Sequence, residues 1–164
     1  MLTKTTISAI RALLFLAQQG EGACVSPRRI AEVIGESPTY LAKALRLLVK
    51  AGILRAEKGA HGGVRLGRDP RQISLLSIVE TCQGTLVGDY CLSGGEPSHY
   101  CSFHAAAKEL HEAIRAVLSR WSLGALLERP YSSAGPEAQS ACVMARRALA
   151  HPAVGAAPAP LVRS

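Results

Sequence analysis

Two cysteines and a histidine, spaced Cys91-x9-Cys101-x2-His104, are the residues of this chain best suited to chemistry. Thiolate and imidazole both serve as ligands for zinc and for iron–sulfur clusters. A C-x2-H pair keeps its donors close together, and Cys91 can fold back to join them. Three donors leave a coordination position to fill, and Glu96, His99, His111 or a residue from a second subunit is available for it. The same residues also admit an unligated thiol pair, a redox disulfide, or a small thiol enzyme with Cys101 as nucleophile and His104 as base. No orienting carboxylate or oxyanion loop is recognisable nearby, which speaks against the enzyme. The surrounding stretch, Gly84 to His104, is punctuated by Gly, Ser and Pro and has no periodicity. A loop of that length is either functional or disordered, and clustered soft ligands favour function.

Two helical patterns flank this loop. Before it, residues 73 to 83 place Leu75, Val79 and Cys82 on one side, so Cys82 reads as core. After it, Ala105 to about Glu128 is the longest helical pattern, with Leu110, Ile114, Val117, Leu118 and Trp121 in one apolar stripe. A helix of that length spans about 36 Å. A small domain cannot cover it, so the stripe is expected to meet a second copy of the chain.

Upstream, Ser26 to Arg68 contains two helix starts of the same kind. Ser26-Pro27 and Ser37-Pro38 each set a capping hydroxyl before a proline at the first helical position. Ile30, Ala31, Val33 and Ile34 form the apolar face of the first helix, which Gly35-Glu36 breaks. Leu41, Leu45 and Leu48 form that of the second, which Gly52 stops. Two short helices across so brief a turn predict a helix-turn-helix. Its second helix carries Thr39, Lys43, Arg46 and Lys50 opposite the leucines, a face able to enter a DNA major groove or simply to be solvated. Ile53–Glu57 and Val64–Leu66 then flank a glycine-rich turn, which predicts a hairpin decorated by Arg55, Lys58, Arg65 and Arg68. A helix-turn-helix followed by a basic hairpin is a winged helix. A phosphate-cradling loop is excluded, because no helix N-terminus follows the glycines.

This gives a set of candidate DNA-binding residues. Thr39, Tyr40 and Lys43 open the recognition helix and are placed to read base edges; Arg46, Lys50, Lys58 and Arg65 are placed on phosphates. Arg28 and His61 complete the set. Residues 5 to 19, with Ile7, Ile10, Leu13, Leu14 and Ala17 on one face, form an amphipathic helix expected to pack beneath the motif, which cannot bury its own core. Cys24 reads as a small buried hydrophobe.

Charge distribution agrees. The chain of 164 residues has a formal net charge of +7. Between Ser26 and Gln72 there are ten Lys/Arg against four Asp/Glu, whereas between Glu80 and Glu128 there are three against six. Positive charge is thus concentrated on the winged helix, as suits a polyanion. No apolar run reaches membrane-spanning length and no signal-peptide layout is present, so a cytoplasmic protein with reduced thiols is expected. From Pro130 onward ten alanines and five prolines mark a tail expected to be largely disordered, with Cys142 as a lone thiol. The expected organisation is a winged helix-turn-helix over 1–72, a connecting helix and sensor loop over 73–104, a dimerisation helix over 105–129, and the tail over 130–164. The fold class is mainly α with a small β wing.

Several segments taken together resemble a known family. AIRALLFLA in the first helix, SPTYLAKALRLLVKAGIL in the recognition region and KGAHGGVRLGRDP in the wing are the first three. ISLLSIVETCQG, CSFH and SRWSLGALLE follow. Over about residues 1 to 128 the chain is similar to the bacterial winged-helix regulators typified by the iron–sulfur cluster regulator IscR and the nitric-oxide sensor NsrR. The resemblance implies a homodimer clasped by the long helices, two winged helices on a palindromic operator in double-stranded DNA, and a cluster loop before the long helix. It implies no enzyme. Cluster-binding relatives usually carry three cysteines in that loop, whereas here only Cys91, Cys101 and His104 match and no cysteine lies between. The expectation is a repressor sensing iron–sulfur, redox or nitric-oxide status, with a 2Fe-2S cluster favoured over a four-iron one because local thiolates are few. A zinc site is the alternative cofactor, and a cluster-free winged-helix regulator with another signal, or a small zinc or thiol protein, the alternative function.

Overall fold

Thr3 opens the first helix, its hydroxyl accepting a hydrogen bond from the Thr6 amide, and α1 runs from Lys4 to Gln18. In the computed structural model, residues 2–59, 62–86 and 102–128 are described. Helix α2 spans Pro27–Ile34 and α3 spans Pro38–Lys50. Strands β1 (Leu54–Glu57) and β2 (Gly63–Leu66) pair antiparallel, with Leu54 opposite Leu66 and Arg55 opposite Arg65. A 3-10 turn at Pro70–Gln72 leads into α4 (Leu75–Gln83). Helices α5 (Ser102–Arg120) and α6 (Leu123–Glu128) follow. The fold is mainly α with a small two-stranded wing, as the sequence predicts.

Helix α1 is more enclosed than an amphipathic pattern suggests. Thr6, Ser8, Ala9, Ile10, Ala12, Leu13, Phe15 and Leu16 are all buried, because α2, α3, α4, α6 and β2 all pack against it. The expected Ile7 and Leu14 are only half-buried. One core joins Ile10, Leu13 and Leu16 of α1 to Ile30 and Ile34 of α2 and to Leu41, Leu45 and Leu48 of α3. That core does not stop at residue 72: Ile73, Ile78 and Leu123 are fully buried in it.

The helix expected over 105–128 is two helices. Arg120 ends α5, and the backbone at Trp121 and Leu123 is taken up by a strand-like bridge between Ser74 and Ser122. The Leu75 amide donates to the Trp121 carbonyl at 2.8 Å, and the Leu123 amide donates to the Ile73 carbonyl at 2.8 Å. The Ser122 hydroxyl then caps α6 by accepting from the Ala125 amide. This turn swings Leu123 back into the core. It also places Gly124 against the 3-10 turn, where an added Cβ would stand 2.7 Å from the Arg71 Cγ and 3.1 Å from its Cα. Gly124→Ala should therefore lower stability by about 1–3 kcal/mol, the range for overpacking a closed contact. Denaturant unfolding checks this, and unchanged stability would mean that α6 does not sit on the turn as described.

Candidate nucleic-acid interface

The helix-turn-helix is fixed by its turn. Ser26 caps α2 by accepting from the Arg29 amide, with Pro27 in the first turn. Gly35 ends the helix in the left-handed region at φ 69°, where a side chain would be strained. Ser37 begins α3 in extended backbone, but its side chain makes no cap hydrogen bond. Glu36, the residue before it, supplies the anchoring instead. Its carboxylate accepts from the Ser8 hydroxyl at 3.0 Å and lies 3.5 Å from the Arg11 guanidinium, while Arg11 also donates to the Ile34 carbonyl. The Arg11 and Glu36 side chains are 13% and 14% exposed, so the pair is shielded from solvent. Helix α1 thereby holds both ends of the turn.

On α3, Leu41, Ala44, Leu45 and Leu48 are buried while Thr39, Lys43, Arg46 and Lys50 are exposed. Hydroxyl, amine and guanidinium groups therefore share the outer face, as the spacing predicts. Tyr40 is different. It is half-buried, its hydroxyl lies 2.9 Å from the Thr5 hydroxyl, and the Lys4 ammonium stands 5.4 Å above its ring. Its polar end is engaged by α1.

The wing stands beside this helix because β1 packs on α3. Val25, just before the Ser26 cap, exchanges two backbone hydrogen bonds with Val64 of β2 at 3.0 and 2.9 Å. That approach requires Gly63, where a Cβ would fall 2.5 Å from the Val25 carbonyl oxygen. Leu54 and Val64 are buried, so the alternate residues Arg55, Glu57 and Arg65 share the other face. Arg55 is directly opposite Arg65. Like charges in that position are destabilising, and the Glu57 carboxylate, paired with Arg65, offsets only one of them. An anion over this face would relieve the other. The sequence places Arg55 on the basic hairpin but outside the set of candidate contacts; its position opposite Arg65 comes from the strand register, which the chain alone does not disclose.

The remaining candidates are scattered. Lys58 is exposed where β1 enters the turn, and His61 lies outside the described residues. Arg28 is 85% exposed and pairs with Glu32 at 3.4 Å on α2. Of the proposed ligands, Cys91 and Cys101 lie outside the described residues, while His104 is half-buried in the first turn of α5. Cys82 packs against the core, and burial pushes its thiol up to about 11, so it is protonated near neutral pH. Cys24 is half-buried, with a free thiol. Among the described residues no helix is long and apolar enough to cross a membrane.

Residues 2–129 match the family described as Rrf2, iron-dependent transcriptional regulator. The chain belongs to the Rrf2 family. Protein aau3 of Rhizobium meliloti is 31% identical over 131 residues, 77% of this chain and 84% of that protein. The HTH-type transcriptional regulator NsrR of Shouchella clausii is 30% identical over 120 residues, 71% and 79% of the two chains. Among solved structures, T. potens IscR superposes with a TM-score of 0.65 at 25% identity, covering 84% of this chain and 96% of that one. CymR, the global cysteine regulator of B. subtilis, shares the fold with a TM-score of 0.65 at 23% identity, over 78% and 96%. This Rrf2 chain is therefore a DNA-binding transcriptional regulator, and the thiol-enzyme alternative is set aside.

Two outcomes test the site. Lys43→Ala should lose discrimination between a preferred duplex, selected from a random-sequence pool, and a scrambled one by about 1–3 kcal/mol. Lys50→Ala, at the far end of α3, should weaken both duplexes equally, as a phosphate contact does. Equal effects of the two substitutions in competition binding would remove the assignment of roles along the helix. Separately, alkylation of the native protein at pH 8 should leave Cys82 unmodified until the chain is unfolded, because its thiolate is scarce well below pH 11. Mass spectrometry showing rapid modification in the folded state would contradict the burial.

Proposed function

We propose that this regulator is a homodimeric repressor of palindromic operators whose cysteine-bearing segment senses iron–sulfur, redox or nitric-oxide status. Helix α5 carries the reading. Its half-buried residues, His104, Ala107, His111, Ile114 and Leu118, recur at helical spacing and mark the side on which it lies against α4. Arg115 and Glu80 pair across that contact at 3.9 Å. Phe103, Leu110 and Val117 repeat every seven residues and are exposed by 67%, 60% and 47%. Exposed Ala106 and Ala113 fall between them. A seven-residue apolar repeat is the pattern of a helix seam that closes against a partner helix. The stripe expected to pair two copies thus divides: Ile114 and Leu118 serve the chain's own packing, and Phe103, Leu110 and Val117 serve the partner. A second copy sets two winged helices about a two-fold axis, which matches an operator of two inverted half-sites.

The donor set fits a 2Fe-2S cluster or zinc by type. Its one described member, His104, stands in the first turn of α5, three residues after Cys101 in sequence. A group held by both residues is anchored to the start of the dimer helix. When bound, a cluster supplies a one-electron centre and oxidisable iron; a neutral imidazole in place of a thiolate raises its potential and makes its retention sensitive to acid. The chain's own part is to fix the imidazole on a helix packed against α4, so that ligation and release are felt by the body of the domain.

Leu110→Glu should convert the protein to monomers in light scattering, with loss of cooperative duplex binding, because the substitution places an unpaired charge in the seam. A dimer that survives it, or a native protein monomeric at micromolar concentration, sinks the dimer reading. Protein purified anaerobically should carry iron and sulfide in equal amounts with visible absorbance. Cys91→Ala and Cys101→Ala should each abolish that absorbance, and Cys24→Ala and Cys82→Ala should retain it. Zinc without sulfide, or colourless protein whose duplex binding ignores both loop substitutions, would leave a regulator with another signal.

A further inference from the structure

The last residue of α4 and the first turn of the recognition helix are joined through one turn of α1. The Gln83 Oε1 accepts from the Thr3 amide at 3.0 Å and from the Thr6 hydroxyl at 2.9 Å. Thr6 is completely buried, so its hydroxyl depends on partners inside the protein, and Gln83 is the carbonyl that provides one. Thr5, between these two threonines, holds the Tyr40 hydroxyl at 2.9 Å, and Lys4 covers the Tyr40 ring. Gln83 is followed directly by Gly84, where the chain leaves α4 for the cysteine-bearing segment.

We propose that Gln83, Thr5 and Tyr40 are positioning residues that set the N-terminal end of α3 from the end of α4. This rests on the assignment of α3 as the DNA-reading helix. Tyr40 stands at the third residue of α3, beside Thr39 and one turn before Lys43. Rotation of this end of the helix by a fraction of a turn displaces both side chains from the base edges they would meet, while cations on flexible stems still reach phosphates. The link therefore acts on sequence discrimination and leaves general affinity for DNA alone. It also gives a change in the cysteine-bearing segment a route to α3: displacement of Gln83 loosens Thr3 and Thr6, hence the turn of α1 that carries Thr5.

Competition binding with the full chain tests this, using the duplex selected by the native protein from a random pool and a scrambled duplex. Tyr40→Phe keeps the ring and removes only the hydroxyl. It should lower preference for the selected duplex by about two- to twelvefold, the range of one internal hydrogen bond, with scrambled-duplex affinity unchanged. The double variant Thr5→Ala with Tyr40→Phe should be no worse than either alone, since both remove the same bond. Gln83→Ala should show the same selective loss, and Gln83→Glu, which keeps an acceptor in place, should restore it. Native discrimination in Tyr40→Phe, or additive losses in the double variant, overturns the link and makes the Tyr40 hydroxyl irrelevant or a direct DNA contact. A native protein that selects no duplex overturns the DNA-reading assignment beneath it.

Discussion

A helix-turn-helix has only one apolar side, and every DNA-facing element of this protein depends on what that side is laid against. Helix α1 is that floor. It contacts α2, α3, α4, α6 and β2, and eight of its fifteen residues are buried. The small residues Ala9 and Ala12, fully buried beside Ile10, Leu13 and Leu16, let neighbouring helices approach it closely. Polar groups on the same helix then lock what the apolar groups bring together. Arg11 and Ser8 hold Glu36 in the turn, while Thr5 and Lys4 hold Tyr40 at the start of α3. Removing one partner of the Arg11–Glu36 pair would strand the other charge in a shielded position, so the tie requires both members.

Electrostatics runs the other way on the outer surface. Thr39, Lys43, Arg46 and Lys50 are exposed on α3, and the wing sets Arg55 against Arg65 across the ladder. A protein selected for its own stability would separate those guanidinium groups. A phosphate over this face would supply the counterion that Arg55 lacks across the ladder. The two faces of α5 differ similarly: one closes onto α4, and the other carries the largely exposed Phe103, Leu110 and Val117.

Much of this was legible in the chain, for local reasons. Ser26-Pro27, Ser37-Pro38, Gly35 and Gly52 punctuate the helices, and glycine density between the segments Ile53–Glu57 and Val64–Leu66 marks the hairpin. What the sequence hid is set by distant partners. Apolar periodicity runs through Val117, Leu118 and Trp121 without a gap, so the break after Arg120 could not be seen; it is made by Ile73 and Leu75, more than forty residues earlier. Two adjacent stripes on α5 likewise merge into one on a helical wheel until α4 covers the first. Tyr40 looked like a DNA contact by its place in α3, whereas its hydroxyl is engaged by Thr5, thirty-five residues away. The ligand candidates Cys91 and Cys101, outside the described residues, rest on their spacing and on the family resemblance.

In the proposed dimer, the cations of α3 and the wing from two protomers would meet the phosphates of duplex DNA. The most direct test is the dissociation constant for the selected duplex measured across a series of salt concentrations. With Arg46, Lys50, Lys58 and Arg65 contributing from each protomer, about eight phosphates are contacted, and at about 0.9 per contact the logarithm of the constant should rise by about seven per decade of salt. A slope below about one would contradict the account, because no such set of cations could then be facing the backbone.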